Sequence, residues 1–206
     1  MPNFLELSNK TFLVTGFANR KSVAWHVGSI LEEEGAKTIY TVRSKKRKDE
    51  LLGLKPNAEI IICDFEKTAE IENLKSYMLS LKSNPIDGIL HSIAYANYSE
   101  GLKPFHETNL KDFLQATHIS SFSLIQLSNA CKTVLNDNAS VVTIGISSID
   151  VTAENYGYMA PIKASLEASV RYLAKSFSHD SEIRFNSVNA GPLKTSASAG
   201  IPGYLV

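Results

Sequence analysis

Tyr156, Tyr158 and Lys163 fall close together in the stretch NYGYMAPIKASLEASVRYLA, residues 155–174. A phenol with a pKa near ~10 is a neutral hydrogen-bond donor at neutral pH. A nearby ammonium strengthens it as a donor. Aimed at an oxygen that gains charge during a reaction, such a donor is a major catalytic element. A helix turns ~100° per residue, so the step from Tyr156 to Lys163 is ~700° and the two share a face. The step from Tyr158 is ~500°, which points that ring ~140° away. Met159 holds the same-face position one turn before Lys163. The rise from Tyr156 to Lys163 is ~10 Å, so the pair would contact different parts of one elongated ligand. Pro161 is tolerated only in a first turn. It moves the helix start toward Ala160 and puts Tyr156 on the segment leading in.

These side chains need a scaffold. Six short apolar runs read as strands: Thr11–Gly16, Thr38–Val42, Glu59–Cys63, Ile86–Ala94, Ala139–Gly145 and Glu182–Gly191. Between them, Ser22–Gly35 reads as a helix with Ser22 as N-cap and Gly35 just past its end. Thr68–Ser83 reads as an amphipathic helix with Ile71, Leu74, Met78 and Leu81 on one stripe. Residues 109–134 read as one long helix. Strands alternating with helices imply parallel pairing through right-handed crossovers. Continuous Val/Ile runs fit a sheet covered on both faces. The expectation is an α/β fold, a doubly wound parallel sheet of Rossmann type with strand order 3-2-1-4-5-6. It would occupy residues 1–206 as a single dinucleotide-binding domain. Trp25 reads as a core residue of the first helix.

The turn after the first strand, GFANRKSVAW, opens on Gly16 and lacks the G-x-G-x-x-G pattern. Gly28 falls inside the helix. Ser22 can cap that helix and reach a phosphate, which the free N–H groups and positive end of the helix also favour. A fold selective for NAD usually has an acid at the end of strand two to grip the ribose. Here Arg43 stands there, followed by Lys45, Lys46 and Arg47, cations that match the 2′-phosphate of NADP. The same run also reads as a solvated basic loop balanced by Asp49 and Glu50. Asp64, after strand three, can accept from an adenine amino group or serve as a turn acid.

Composition narrows the classes. Lys plus Arg and Asp plus Glu are 21 each in 206 residues, which argues against a nucleic-acid or membrane-surface protein. No apolar run approaches the ~18 residues of a membrane span. Cys63 and Cys131 suggest neither a metal site nor a disulfide framework, and a reducing cytoplasm is the expected setting. His91 and His118 read as structural.

Tyr-x6-Lys followed by ASLEASVRYLA resembles the bacterial NAD(P)H-dependent enoyl-acyl-carrier-protein reductases. These are divergent members of the short-chain dehydrogenase/reductase superfamily, whose ordinary members use Tyr-x3-Lys. LVTGFANRKSVAW, HSIAYA, HISSFS and NSVNAGPLKTSASAGI match in order, so the resemblance runs over nearly the whole chain. It implies hydride transfer from NADPH, or NADH, to C3 of a trans-2-enoyl thioester in fatty-acid elongation. Tyr156 would hydrogen-bond the thioester carbonyl and stabilise the enolate. Lys163 would hold the nicotinamide ribose hydroxyls. The resemblance places the cofactor at Gly16, Ser22, Val23, Arg43, Asp64, Phe65, Ser92, Ile93, Lys163, Leu193 and Thr195. It places substrate at Ala96 and Tyr156, and a closing lid at Thr195–Ile201, whose small residues suit one. It further implies a cytoplasmic homotetramer whose substrate is carried on acyl carrier protein, with no metal.

Two departures accompany the resemblance. Ile146 stands where many members have a second Tyr, ten residues before the first, so the pocket should be more apolar. The family also continues past this C-terminus with a helix or two and a seventh strand, so a C-terminal part is expected to be missing. Two alternatives stay open: a reductase of the same superfamily acting on a ketone or alcohol, and a non-catalytic dinucleotide-binding protein. Met159 in the Tyr-x3-Lys position speaks against the first.

Overall fold

The structure is a computed structural model. It describes residues 5–81, 85–150, 152, 156–191, 193–195 and 198. Six strands form one all-parallel sheet in the order β3-β2-β1-β4-β5-β6, the order expected of the doubly wound fold. They are β1 (Thr11–Val14), β2 (Lys37–Val42), β3 (Glu59–Ile62), β4 (Ile86–His91), β5 (Leu135–Ile144) and β6 (Arg184–Val188). The helices are α1 (Val23–Glu33), α2 (Lys45–Leu54), α3 (Thr68–Ser80), α4 (Leu110–Thr117), α5 (Ser123–Cys131) and α6 (Met159–Phe177).

Successive strand residues point to opposite faces, and here they feed two cores. Leu13, Ile39, Ile89 and Val141 join Leu74 of α3, Leu127 of α5 and Leu166 of α6. Val14, Tyr40, Val42 and Leu90 join Ala24 of α1 and Leu51 of α2. Leu13, Leu74, Leu127 and Leu166 are all fully buried. Truncating any one of them to Ala should cost about 2–5 kcal/mol. Strand order reverses beside β1, where β4 continues the sheet on the other side. That switch point opens a crevice at the carboxyl ends of the strands.

Several boundaries differ from expectation for physical reasons. The basic run after β2 forms helix α2 rather than a loop. Ser44 caps it by accepting from the Arg47 N–H at 3.3 Å, and Lys45–Asp49 and Arg47–Glu50 pairs brace its surface. Residues 109–134 are not one α-helix. A π-helical turn, His118–Phe122, separates α4 from α5, and a 3-10 turn, Lys132–Val134, ends the run. Serine hydroxyls compete there with the backbone ladder. Ser123 Oγ donates to the Ile119 carbonyl at 2.6 Å, and Ser121 Oγ donates to Ser165 Oγ at 3.1 Å. β5 begins at Leu135, ahead of the expected start, with an irregularity in its pairing to β4. β6 is shorter than the run that announced it. Leu81 follows the end of α3, and Lys82 and Ser83 lie outside the described residues.

Gly28 has a steric reason to sit inside α1: an added Cβ would lie 2.2 Å from the Tyr40 hydroxyl. That hydroxyl donates to Glu32 at 2.8 Å and accepts from Lys55 at 3.0 Å. Trp25 is half-buried rather than core, packed on Phe17 with Lys55 over its ring.

Candidate active site

The crevice is a cavity of about 490 Å³, and the cofactor and substrate residues placed by the resemblance line it. It runs from the β1–α1 turn to the start of α6.

At the α1 end the backbone itself forms the wall. Thr15 Oγ1 donates to the Leu90 carbonyl at 2.9 Å, tying β1 to β4 beyond the last strand pair. Gly16 follows with φ +88°, and an added Cβ would stand 1.9 Å from the Ser92 carbonyl oxygen. Only glycine fits that left-handed, close approach. Ser22 occupies the N-cap position of α1, but its side chain accepts no first-turn N–H. Its hydroxyl donates instead to the Asn19 carbonyl at 2.6 Å, which corrects the expected side-chain cap. Ser22 and Val23 bring the positive end of α1 to the cavity, a setting that favours an anion.

Arg43, exposed at the end of β2, and Arg47, on α2, both line the cavity. Arg47 is held in place by bonds to the Ala18 carbonyl at 2.8 Å and to Glu50 at 2.7 Å. Lys45 is engaged with Asp49 on the solvent side and does not reach the cavity. After β3, Asp64 and Phe65 form the next part of the wall. Asp64 also serves as a turn acid, accepting from the Glu66 N–H at 3.1 Å. Beside it the Cys63 thiol is buried and pushed up to about 12, chiefly by that burial. Cys63 and Cys131 are both free and buried.

Ser92, Ile93 and Ala96 of the wall come from the loop after β4, and Gly145 and Ile146 follow the end of β5. α6 begins at Met159, so Pro161 falls in the first turn, where no intrahelical N–H bond is lost. Tyr156 therefore precedes the helix, and the shared-face angle computed for an unbroken helix does not describe it. Tyr156 and Lys163 nevertheless reach the same cavity, both almost wholly buried. Lys163 Nζ donates to the Ile144 carbonyl at 2.6 Å, and burial lowers its pKa to about 8. Tyr158 turns away: its ring packs on Tyr98 and Phe113, and its hydroxyl donates to the Asn97 carbonyl at 2.8 Å.

Leu193, Thr195 and Ser198 also line the cavity. Ser198 Oγ donates to the Leu193 carbonyl at 2.6 Å, and its N–H donates to Thr195 Oγ1 at 3.2 Å. The remaining residues of the expected lid, 196, 197 and 199–201, lie outside the described residues. His91 lies outside the cavity lining, bonded to Thr143 and Ser123. Burial, with the Lys163 ammonium adding to it, pushes His91 down to about 3. His118 is bonded to Gln126.

Sequence reasoning did not single out Phe17, Tyr95, Tyr98 and Ile119 as wall residues, whereas Met159 and Ser198 fall at the expected Lys163 face and in the expected lid. Tyr95 lies within the matched HSIAYA motif, and Tyr98 is two residues beyond Ala96. Ile119 reaches the wall from the π-helical turn, which no sequence period announced. Among the described residues no helix is long and apolar enough to cross a membrane, and no cluster of His, Cys, Asp or Glu could hold a metal.

Comparison with known proteins agrees with this geometry. Residues 16–205 match the family described as Enoyl-(Acyl carrier protein) reductase. An enoyl-acyl-carrier-protein reductase of Rickettsia prowazekii, named for NADH, is 35% identical over 96% of this chain and 76% of its own length. One of Staphylococcus aureus, named for NADPH, is 35% identical over 97% of this chain and 79% of its own. The crystal structure of the Bacillus cereus enoyl-acyl carrier protein reductase, solved with NADP+ and an indole naphthyridinone, superposes with a TM-score of 0.89 at 31% identity. It is matched over 96% of this chain and 78% of its own. On the match across residues 16–205 and these likenesses over nearly all of this chain, it belongs to the enoyl-acyl-carrier-protein reductase family.

Proposed function

We propose that this protein reduces the C2–C3 double bond of trans-2-enoyl thioesters carried on acyl carrier protein, in fatty-acid elongation. The observation that carries this reading is Tyr156 and Lys163 facing one cavity, in a chain of the enoyl reductase family. The cavity residues suit an anionic, hydroxyl-bearing dinucleotide. The α1 N-terminus and Arg43 suit phosphates, and Lys163 suits ribose hydroxyls. A bound nicotinamide cofactor supplies the hydride that adds to C3.

The chain's own residues hold and polarise the substrate. The Tyr156 hydroxyl donates to the thioester carbonyl, whose oxygen gains charge as C3 is reduced. The Lys163 ammonium orients the ribose. Ala96 and Ile146 give the acyl chain an apolar wall and keep water from the enolate. Arg43 and Arg47 at the adenosine end support a preference for NADPH over NADH. Residues 1–206 belong to a single reductase domain, which acts in the cytoplasm as a homotetramer.

The test is cofactor oxidation by the purified protein with a crotonyl-thioester, set against an acetoacetyl-thioester. Turnover of the crotonyl substrate that disappears in Tyr156→Phe supports the reading. Turnover of the keto substrate alone assigns the protein to ketone reduction, and cofactor binding without either reaction ends the enzymatic reading.

A further inference from the structure

Tyr156 stands before α6, so helical geometry does not hold its ring in place. Another device spans the gap between this segment and the loop after β4. The Tyr98 hydroxyl donates to the Tyr156 backbone carbonyl at 3.1 Å, and the Tyr158 hydroxyl donates to the Asn97 carbonyl at 2.8 Å. Each segment thus gives one phenol donor and one backbone acceptor. The two rings lie against each other, with centroids 5.2 Å apart and planes inclined at 35°. A turn at Gly157, with φ +52°, separates the two tyrosines of the α6 side. On the other side, the Asn97 side chain donates to Asp112 of α4 at 3.0 Å, which anchors the loop. Burial raises the pKa of both phenols, so both stay protonated donors at neutral pH. Tyr98 also lines the cavity, two positions from Ala96.

We propose that Tyr98 is a positioning residue for Tyr156, acting with Tyr158 as a reciprocal clasp, an inference that rests on the enoyl-reduction reading above. A phenol aimed at an oxyanion must be placed within a fraction of an ångström to be effective, and a misplacement of ~1 Å can cost ~100-fold in rate. Ile146, which packs against the same cluster, has no hydrogen bond to offer. The clasp fixes the carbonyl of Tyr156 itself, and through it the direction in which that side chain leaves the backbone. Because one half of the clasp is cavity wall, the same contact sets how closely the acyl chain approaches the Tyr156 hydroxyl.

The experiment uses Tyr98→Phe, which deletes one hydroxyl and keeps the ring, with Tyr158→Phe as its counterpart. Crotonyl-thioester turnover should fall about tenfold in kcat for Tyr98→Phe. The KM for NADPH should stay within about twofold, because the loss acts on Tyr156 and not on the dinucleotide. Backbone hydrogen exchange should quicken in residues 95–99 and 156–159 together, in both variants. A kcat within twofold of wild type overturns the proposal, as does an equal loss in kcat and in NADPH affinity. If the wild-type protein reduces no enoyl thioester, the reaction reading falls by itself. Exchange then decides the clasp: faster exchange in both segments supports it, and a change confined to the substituted segment overturns it.

Discussion

The Lys163 ammonium donates to the Ile144 carbonyl at 2.6 Å from a side chain only 6% exposed. That bond joins α6 to the end of β5 at the base of the cavity. Burial lowers the pKa of the group from 10.5 to about 8. Between those values the unfolded chain binds more protons than the folded one, so stability rises with pH across that window. Below about pH 8 both states are charged and the burial cost is present in full. The wild-type protein should therefore gain about 2 kcal/mol relative to Lys163→Met between pH 7.5 and 10. Urea denaturation of both proteins at the two pH values measures the difference. Parallel pH profiles would show that Lys163 does not titrate in this window.

At the opposite end of the cavity, Arg43 is exposed and Arg47 is tied to Ala18 and Glu50. A charge-assisted bond to a phosphate contributes about 1.5–3 kcal/mol. Arg43→Ala should therefore weaken NADPH binding by about tenfold or more while NADH changes by less than about twofold. Titrating both cofactors against both proteins is the check. Equal losses would remove Arg43 from 2′-phosphate recognition and leave a general electrostatic role.

The strands were legible because their Val/Ile runs are buried on both faces, so burial and sequence pattern coincide at Leu13–Val14 and Ile89–Leu90. The basic residues 43–48 were legible as a charge pattern but not as α2, whose apolar anchors Leu51, Leu52 and Leu54 all lie at its far end. The π-helical turn was illegible because it depends on where serine hydroxyls find acceptors in three dimensions. Tyr156 and Lys163 could be singled out by residue type and spacing. Tyr98 could not, because its hydrogen bond crosses between segments far apart in the chain.

Gly16 and Gly53 should respond oppositely to alanine. At Gly16, φ is +88° and the new Cβ would meet the Ser92 carbonyl at 1.9 Å, in backbone that cannot swing aside. Gly16→Ala should cost about 3 kcal/mol or more and abolish cofactor binding. At Gly53, on α2, an added Cβ meets nothing within 4 Å. Gly53→Ala should stabilise the protein by about 0.5–1 kcal/mol and leave the cofactor untouched. Thermal melts with and without NADPH separate the two. A tolerated Gly16→Ala would mean that the β1 turn and the Ser92 loop are not packed this closely.

His91 sets the acid limit of the same scaffold. Its Nε2 lies 2.8 Å from Ser123 Oγ and its Nδ1 2.8 Å from Thr143 Oγ1. Ser123 spends its own proton on the Ile119 carbonyl, so Nε2–H donates to Ser123, while the Thr143 hydroxyl lies against Nδ1 and also reaches the His91 carbonyl at 3.2 Å. Both ring nitrogens thus have a hydroxyl neighbour, and burial pushes the pKa down from 6.5 to about 3. As pH falls below 6.5 the unfolded histidine takes a proton that the folded one refuses, so stability is lost by up to about 1.4 kcal/mol per pH unit. His91→Gln keeps polar contacts without a titrating ring. Its stability should fall less steeply between pH 6.5 and 4 than that of the wild type, since the carboxylates contribute alike to both. Denaturant midpoints collected across that range give the two slopes directly. Equal slopes would place His91 in a setting that accepts a proton when folded, against the neutral ring that joins β4 and β5 to α5.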